Sequence, residues 1–369
     1  MRIAQVAPLY ERVPPQSYGG TERVVSYLTE ELVRQGHDVT LFASGDSLTA
    51  ARLVPCCDRA LRLGGRCVDP IARHVYQIER VLSLADEFDV IHWHTDYLHF
   101  PLSRRLGVPH VTTLHGRLDL PDLPDLYAEF DDMPVVSISD AQRSPLPLAR
   151  WAGTVYHGLP ESLYELREAD GGYLAFLGRI SPEKRPDRAI EIARRVGLPL
   201  KIAAKVDKAD REYYETTIRP LMDHPLVEFI GEIGDADKQD FLGNALALLF
   251  PIDWPEPFGM VMIEAMACGT PVVAFRCGSV PEVIDDGVTG FIVDDLAGAC
   301  RAVEHAGRID RRRVRSVFEQ RFSARRMALD YVAIYERLVS EASELRLSVS
   351  EPENPFSQVS RPESLVNIA

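Results

Sequence analysis

The segment Asp253-Trp254-Pro255-Glu256-Pro257-Phe258-Gly259-Met260-Val261-Met262-Ile263-Glu264 carries two glutamates, Glu256 and Glu264, that enclose seven residues. Pro255 and Pro257 keep Glu256 out of a helix, because proline lacks an amide proton and pushes the preceding residue toward extended backbone. A helix can begin near Gly259 and run to Cys268, with Gly269 as its stop, which puts Glu264 about a turn and a half inside it. The unpaired amides of Phe258, Gly259, Met260 and Val261 then form an anion site at the helix start. An ionised carboxylate only accepts hydrogen bonds. One carboxylate on each side of a bound anion therefore suits neighbouring hydroxyl pairs, sugar on one side and ribose on the other. A second segment, Gly178-Arg179-Ile180-Ser181-Pro182-Glu183-Lys184, follows an apolar run at 173–177 that reads as a strand. Arg179, as a planar fork, and Lys184, as a point charge, can grip a diphosphate from such a loop. Taken alone, these cations read equally well as partners in surface ion pairs.

The first half offers weaker signals. Tyr18-Gly19-Gly20-Thr21-Glu22-Arg23 joins an apolar run to a helical pattern, and Gly19-Gly20 permits close backbone approach. It lacks the G-x-G-x-x-G spacing of dinucleotide binders, which disfavours NAD, and on its own it is a tight turn. His92, His94, His115 and His157 sit at or near strand ends, where a histidine usually packs and finds a partner. His92 and His94 alternate as metal ligands can, but the sequence offers no third ligand. Asp235-Ala236-Asp237 precedes a helical stretch at 238–245, so helix capping is its expected role rather than metal binding.

Alternating strand and helix patterns position these residues. Apolar runs fall at 3–7, 39–43, 90–92, 110–114, 135–138 and 154–156, and again at 173–177, 200–204, 227–230, 245–250, 272–275 and 290–293. Such alternation predicts parallel sheets covered on both faces, with ligands at the carboxyl ends of the strands. The stretch 48–69 gives no clear pattern. A chain of 369 residues exceeds one core, which predicts two domains: 1–160, a linker 161–172 rich in acid and glycine, 173–322, a last helix 323–344 and an unstructured tail 345–369. The formal net charge of −14 argues against nucleic acid and anionic lipid as bulk partners. The run Arg308, Arg311, Arg312, Arg313 and Arg315 reads as a solvated helix face. Six scattered cysteines, no leader-like N-terminus and no window near the ~20 apolar residues of a membrane span predict a cytoplasmic protein with reduced thiols.

The stretch from Pro255 to Ala274, with Gly178-Arg179…Lys184, Gly278-Ser279-Val280-Pro281-Glu282-Val283-Ile284 and Gly287-Val288-Thr289-Gly290-Phe291, resembles the family-four retaining glycosyltransferases of the GT-B fold (glycosyltransferase group 1 type). The resemblance runs from Ile3 to about residue 338. It implies an α/β fold of two doubly wound Rossmann-like domains facing across a cleft. It implies that Arg179 and Lys184 hold the donor diphosphate and stabilise the leaving nucleotide. Glu256 would contact the donor sugar, Phe258, Gly259, Met260 and Val261 would offer amides, and Glu264 would bind the ribose hydroxyls. The Gly19-Gly20 loop would face donor and acceptor, and His115 would orient the donor sugar or stabilise charge beside it. His157-Gly158 stands where the family has Asn-Gly, which leaves His157 without an assigned role. The expected reaction is transfer of a hexose from a nucleotide-diphosphate sugar, UDP-glucose favoured over GDP-mannose, to a small-molecule or glycan acceptor, with retention. No cofactor or metal is expected, because Arg179 and Lys184 supply the positive charge. A sugar-nucleotide epimerase, a phosphorylase on the same fold and a non-catalytic nucleotide-sugar-binding protein are the competing readings.

Overall fold

The computed structural model describes residues 1–16, 19–62, 67–169 and 171–350. Tyr18 of the glycine loop, Asp170 of the linker and residues 351–369 of the expected tail lie outside the described residues. Two parallel sheets organise the chain. The first is built from β1 (Arg2–Val6), β2 (Asp38–Ser44), β3 (Arg52–Cys57), β4 (Val90–Trp93), β5 (His110–Thr113), β6 (Pro134–Ser137) and β7 (Arg150–Thr154), in the order β3-β2-β1-β4-β5-β6-β7. The second holds β8 (Tyr173–Arg179), β9 (Leu200–Lys205), β10 (Val227–Gly231), β11 (Ala245–Phe250), β12 (Val272–Phe275) and β13 (Gly290–Val293), in the order β10-β9-β8-β11-β12-β13. Central strands are buried on both faces, which is why 3–6, 39–43 and 245–250 read as near-continuous apolar runs.

Both sheets reverse their strand order once, between β1 and β4 and between β8 and β11. Ligands bind at such switch points, outside the carboxyl ends of the strands. The Gly19-Gly20 loop follows β1, and the Arg179–Lys184 loop follows β8. The loop holding Glu256 follows β11, and His115 follows β5. The topology alone thus brings the candidate residues to two facing sheet edges.

The chain crosses between the sheets twice, and the crossings touch. Leu159 donates its amide to the Phe322 carbonyl at 2.9 Å and accepts from the Ala324 amide at 2.7 Å. A side chain on Gly158 would meet the Ser323 carbonyl oxygen at 2.3 Å, so the contact depends on glycine there. The last helix, Ala324–Ser350, then returns to cover the first sheet, burying Met327, Tyr331 and Tyr335 among Ile3, Val24, Val90 and Val111.

Four sequence expectations change. The last helix continues to Ser350, so 345–350 is helical rather than part of an unstructured tail. The last strand of the first sheet is Arg150–Thr154, ahead of the expected 154–156. The stretch 48–69 contains β3, an edge strand with Pro55 in it and a mostly half-exposed face. Within the arginine run, Arg311 and Arg315 are internal. Arg311 donates to the carbonyls of Arg167, Gly243 and Ala245 and to Thr270, and Arg315 to those of Glu161, Tyr164 and Ala267. Carbonyls at helix and strand ends lack partners of their own, and a guanidinium with five donors satisfies several at once.

Candidate active site

The helix Met260–Ala267 starts from Gly259 at φ 80°, a left-handed conformation open to glycine at little cost. A side chain there would also meet Met262 at 2.8 Å and the Phe250 ring at 3.0 Å. Its first residues, Met260 and Val261, face a cavity of about 140 Å³ between the two sheets. Gly19, Gly20 and Arg23 line that cavity from the first domain, and Gly178, Lys205, Ile233, Lys238 and Glu264 from the second. The expected positions at residues 19, 20, 260, 261 and 264 therefore share one interdomain space.

Glu264 is 2% exposed. Lys238 Nζ approaches its Oε1 at 2.7 Å and Asp235 Oδ1 at 3.3 Å, while Oε2 is buried with no hydrogen-bond partner among the described residues. Asp235 in turn pairs with Arg23, which crosses from the first helix, Gly20–Arg34. Asp235 therefore does not cap the helix Asp235–Gly243, as its sequence position suggested. Gly234 holds the cap position, and the side chain turns to Arg23 and Lys238 because uncompensated cations there would be costly to bury. Arg23, Asp235 and Lys238 were missed as site residues. Nothing local marks a pairing between residues 212 positions apart.

A second group surrounds the turn that leads into the same helix. Lys184 Nζ pairs with Glu256 Oε2, and Trp254 Nε1 donates to the same oxygen at 2.8 Å. The ammonium also stands 5.2 Å from the Trp254 ring centroid and 5.7 Å from that of Phe250, whose ring abuts Gly259. The two loops are tied by the Asp253 amide, which donates to the Glu183 carbonyl at 2.9 Å. Gly278 packs against Glu256, where a side chain would lie 2.4 Å from its backbone nitrogen and oxygen. The Ser279 amide donates to the Glu256 carbonyl at 3.0 Å, and Ser279 Oγ to the Phe258 carbonyl at 2.8 Å. These contacts give Gly278 and Ser279 a physical role in shaping the turn. Arg179 is held by carboxylates, at 2.5 Å from Glu183, 3.6 Å from Asp210 and 3.8 Å from Asp207.

The first domain contributes histidines. His115 stacks on His157 at 5.3 Å and 20°, and His157 meets the Phe258 ring edge-on at 4.9 Å. His157 thus bridges the domains at the base of the glycine-capped helix. Burial lowers His92, His94 and His157 well below the ordinary range and His115 to about 3, so the cluster is neutral near pH 7. Both ring nitrogens of His92 hydrogen-bond, to Tyr335 and Thr113, as do both of His94, to His115 and Gln5. Glu282 also joins the domains. Its carboxylate accepts from the amides of Asp140 and Ala141, each at 2.7 Å, and from Tyr156 Oη at 3.1 Å.

Comparison with known proteins extends this geometry. Residues 165–303 match the family model described as glycosyl transferases group 1, and residues 18–156 that of glycosyltransferase family 4. An uncharacterised glycosyltransferase of Methanocaldococcus jannaschii is 26% identical over 238 residues, covering 60% of this chain and 65% of that protein. A D-inositol 3-phosphate glycosyltransferase of Mycolicibacterium smegmatis is 30% identical over 191 residues, covering 45% of this chain and 40% of that protein. The matched stretches thus span less than two thirds of these two relatives. The crystal structure of AviGT4, a glycosyltransferase involved in avilamycin A biosynthesis, superposes with a TM-score of 0.72 at 27% identity, over 92% of this chain and 98% of that one.

Proposed function

The chain belongs to the group 1 glycosyltransferases of the GT-B fold, and we propose that it transfers a hexose from a nucleotide-diphosphate sugar with retention of configuration. One observation carries the reading. A single interdomain cavity is walled by Gly19 and Gly20 on one side and by the start of the Met260–Ala267 helix and Glu264 on the other. Amides at a helix start bind phosphate, and a buried carboxylate with a spare oxygen suits two adjacent ribose hydroxyls. The base would lie toward the Glu232–Ile233 end of the same cavity.

In this reading Arg179 and Lys184 exchange their carboxylate partners for the donor diphosphate. Lys184 leaves Glu256, whose freed oxygen takes a sugar hydroxyl, and Arg179 turns from Asp207 and Asp210 toward phosphate. The preformed ion pairs hold both cations in place before the donor arrives. As the glycosidic C–O bond to the diphosphate breaks, negative charge grows on the departing oxygen. Two cations and the amides of Phe258 to Val261 stabilise it. No carboxylate in the motif is needed as a nucleophile, because the departing phosphate oxygen can take the acceptor's proton while the acceptor attacks from the same face. His115 sits beside the donor sugar, and a domain hinge near residues 158–172 admits the donor to a cavity that is smaller than usual ligand pockets. UDP-glucose is the favoured donor.

The test incubates UDP-glucose and GDP-mannose with and without candidate acceptors and follows products by proton NMR. The reading expects an acceptor-dependent product with the donor's anomeric configuration. An inverted product overturns the mechanism. Altered donor without acceptor identifies an epimerase, orthophosphate dependence a phosphorylase, and tight donor binding without turnover a binding protein.

A further inference from the structure

His115 ends a chain of side-chain hydrogen bonds that starts on the last helix. Gln5 Nε2 donates to Tyr335 Oη at 3.1 Å, and Gln5 Oε1 lies 2.8 Å from His94 Nε2. His94 Nδ1 lies 2.9 Å from His115 Nε2. Gln5, His94 and Tyr335 are all 3% exposed or less, so water does not compete for these bonds. A side-chain amide has one donor end and one acceptor end. With the donor end on Tyr335, the acceptor end faces His94, and His94 must carry its proton on Nε2. A neutral imidazole holds only one proton, so His94 Nδ1 is a lone pair that must accept a hydrogen bond from His115. His115 then donates from Nε2–H, and its Nδ1 is left as a bare acceptor. That Nδ1 is buried and has no hydrogen-bond partner among the described residues. Proteins seldom leave such an atom unpaired, so it points to a hydroxyl supplied from outside the chain.

We propose that Gln5 and His94 are positioning residues that fix His115 as the Nε2–H tautomer, so that its Nδ1 accepts a hydrogen bond from a hydroxyl of the transferred sugar. The inference rests on the reading of His115 as a neighbour of the donor sugar and sharpens it. His115 acts as a neutral acceptor that selects for a hydroxyl, and the negative charge of the leaving group is left to Arg179, Lys184 and the helix amides. The direction of the whole relay hangs on one amide. Turning Gln5 around would send a proton to His115 Nδ1 and make it a donor instead.

The experiment is nitrogen-15 NMR of histidine-labelled full-length protein at pH 7 without ligand, with the His115 signals identified by their loss in His115→Gln. The expected spectrum is neutral His115 protonated on Nε2. Gln5→Glu, which can only accept in its ionised form, keeps that tautomer, and Gln5→Met gives a mixture. An Nδ1–H or imidazolium His115 in the wild-type protein overturns the proposal, as does a Gln5→Met spectrum identical to wild type. If Gln5→Met does not fold, the wild-type and Gln5→Glu spectra still decide. In transfer assays, Gln5→Met is expected to lower kcat about 10-fold, the worth of one hydrogen bond, while acceptor KM holds. Because the tautomer is read on the free protein, absence of transfer would refute the proposed function and leave the relay standing. Transfer with the opposite tautomer would refute the relay alone.

Discussion

Replacing Lys184 by methionine separates what the Lys184–Glu256 pair does for stability from what it does for catalysis. Methionine keeps the apolar stem over the Trp254 and Phe250 rings and removes only the charge. The Lys184 and Glu256 side chains are 20% and 12% exposed, so the pair is shielded but not dry. Breaking it should cost about 1–3 kcal/mol, between the values for surface and buried pairs, because the Glu256 carboxylate then keeps only Trp254 as a partner among the described residues. Adding Glu256→Gln removes the orphaned charge, and the double variant should recover most of that loss. Activity should move the other way. Lys184→Met alone should lose at least ~100-fold in kcat, and the double variant should lose more, since each group meets a different part of the donor. Thermal unfolding and initial rates on the same four proteins complete the cycle. A folded Lys184→Met enzyme with kcat within ~3-fold of wild type would refute the diphosphate role, as would a double variant that regains both stability and rate.

Arg179→Ala should also lower kcat at least ~100-fold with little change in unfolding temperature, since its partners are half-exposed carboxylates; normal turnover would remove it from the site. Gly259→Ala should destabilise the fold by about 1–2 kcal/mol through its left-handed backbone alone, with further cost from Met262 and Phe250, and an unchanged denaturation midpoint would contradict the geometry. Acid should weaken the fold early. The buried histidines 92, 94, 115 and 157 have folded-state values depressed below 6.5, so the stability they contribute is present above that pH and is lost as pH falls toward about 3, the value for His115. Each costs up to about 1.4 kcal/mol per pH unit once the pH is well below 6.5, and an unfolding temperature that stays flat as pH falls from about 6.5 to about 4.5 would refute it.

What the sequence revealed and what it hid follow from the range of the forces involved. Strand burial on both faces writes itself as apolar runs, so β1, β8 and β11 were legible, and the loops after them followed from topology. Glycine and proline constrain their own backbone, so the start of the Met260–Ala267 helix and the loop position of Glu256 were legible too. β3 was not, because an edge strand with a proline and a half-exposed face shows little alternation. Charged residues misled for a related reason. Composition suggested a solvated role for Arg311 and Arg315, yet the carbonyls they serve come from distant segments. Arg23 and Asp235 meet only because two sheets face each other, and their local surroundings suggested a helix residue and a cap. The histidines were placed at strand ends correctly, but their hydrogen-bond order depends on Gln5 and on a tyrosine of the last helix.

The most direct test is a crystal structure with an unreactive donor analogue, such as a UDP-sugar fluorinated at the sugar. The account predicts a pyrophosphate within hydrogen-bonding reach of Arg179, Lys184 and the amides at Gly259–Val261, with Glu264 on the ribose. A nucleotide bound anywhere else, or a pyrophosphate with both cations still locked to their carboxylates, would contradict it.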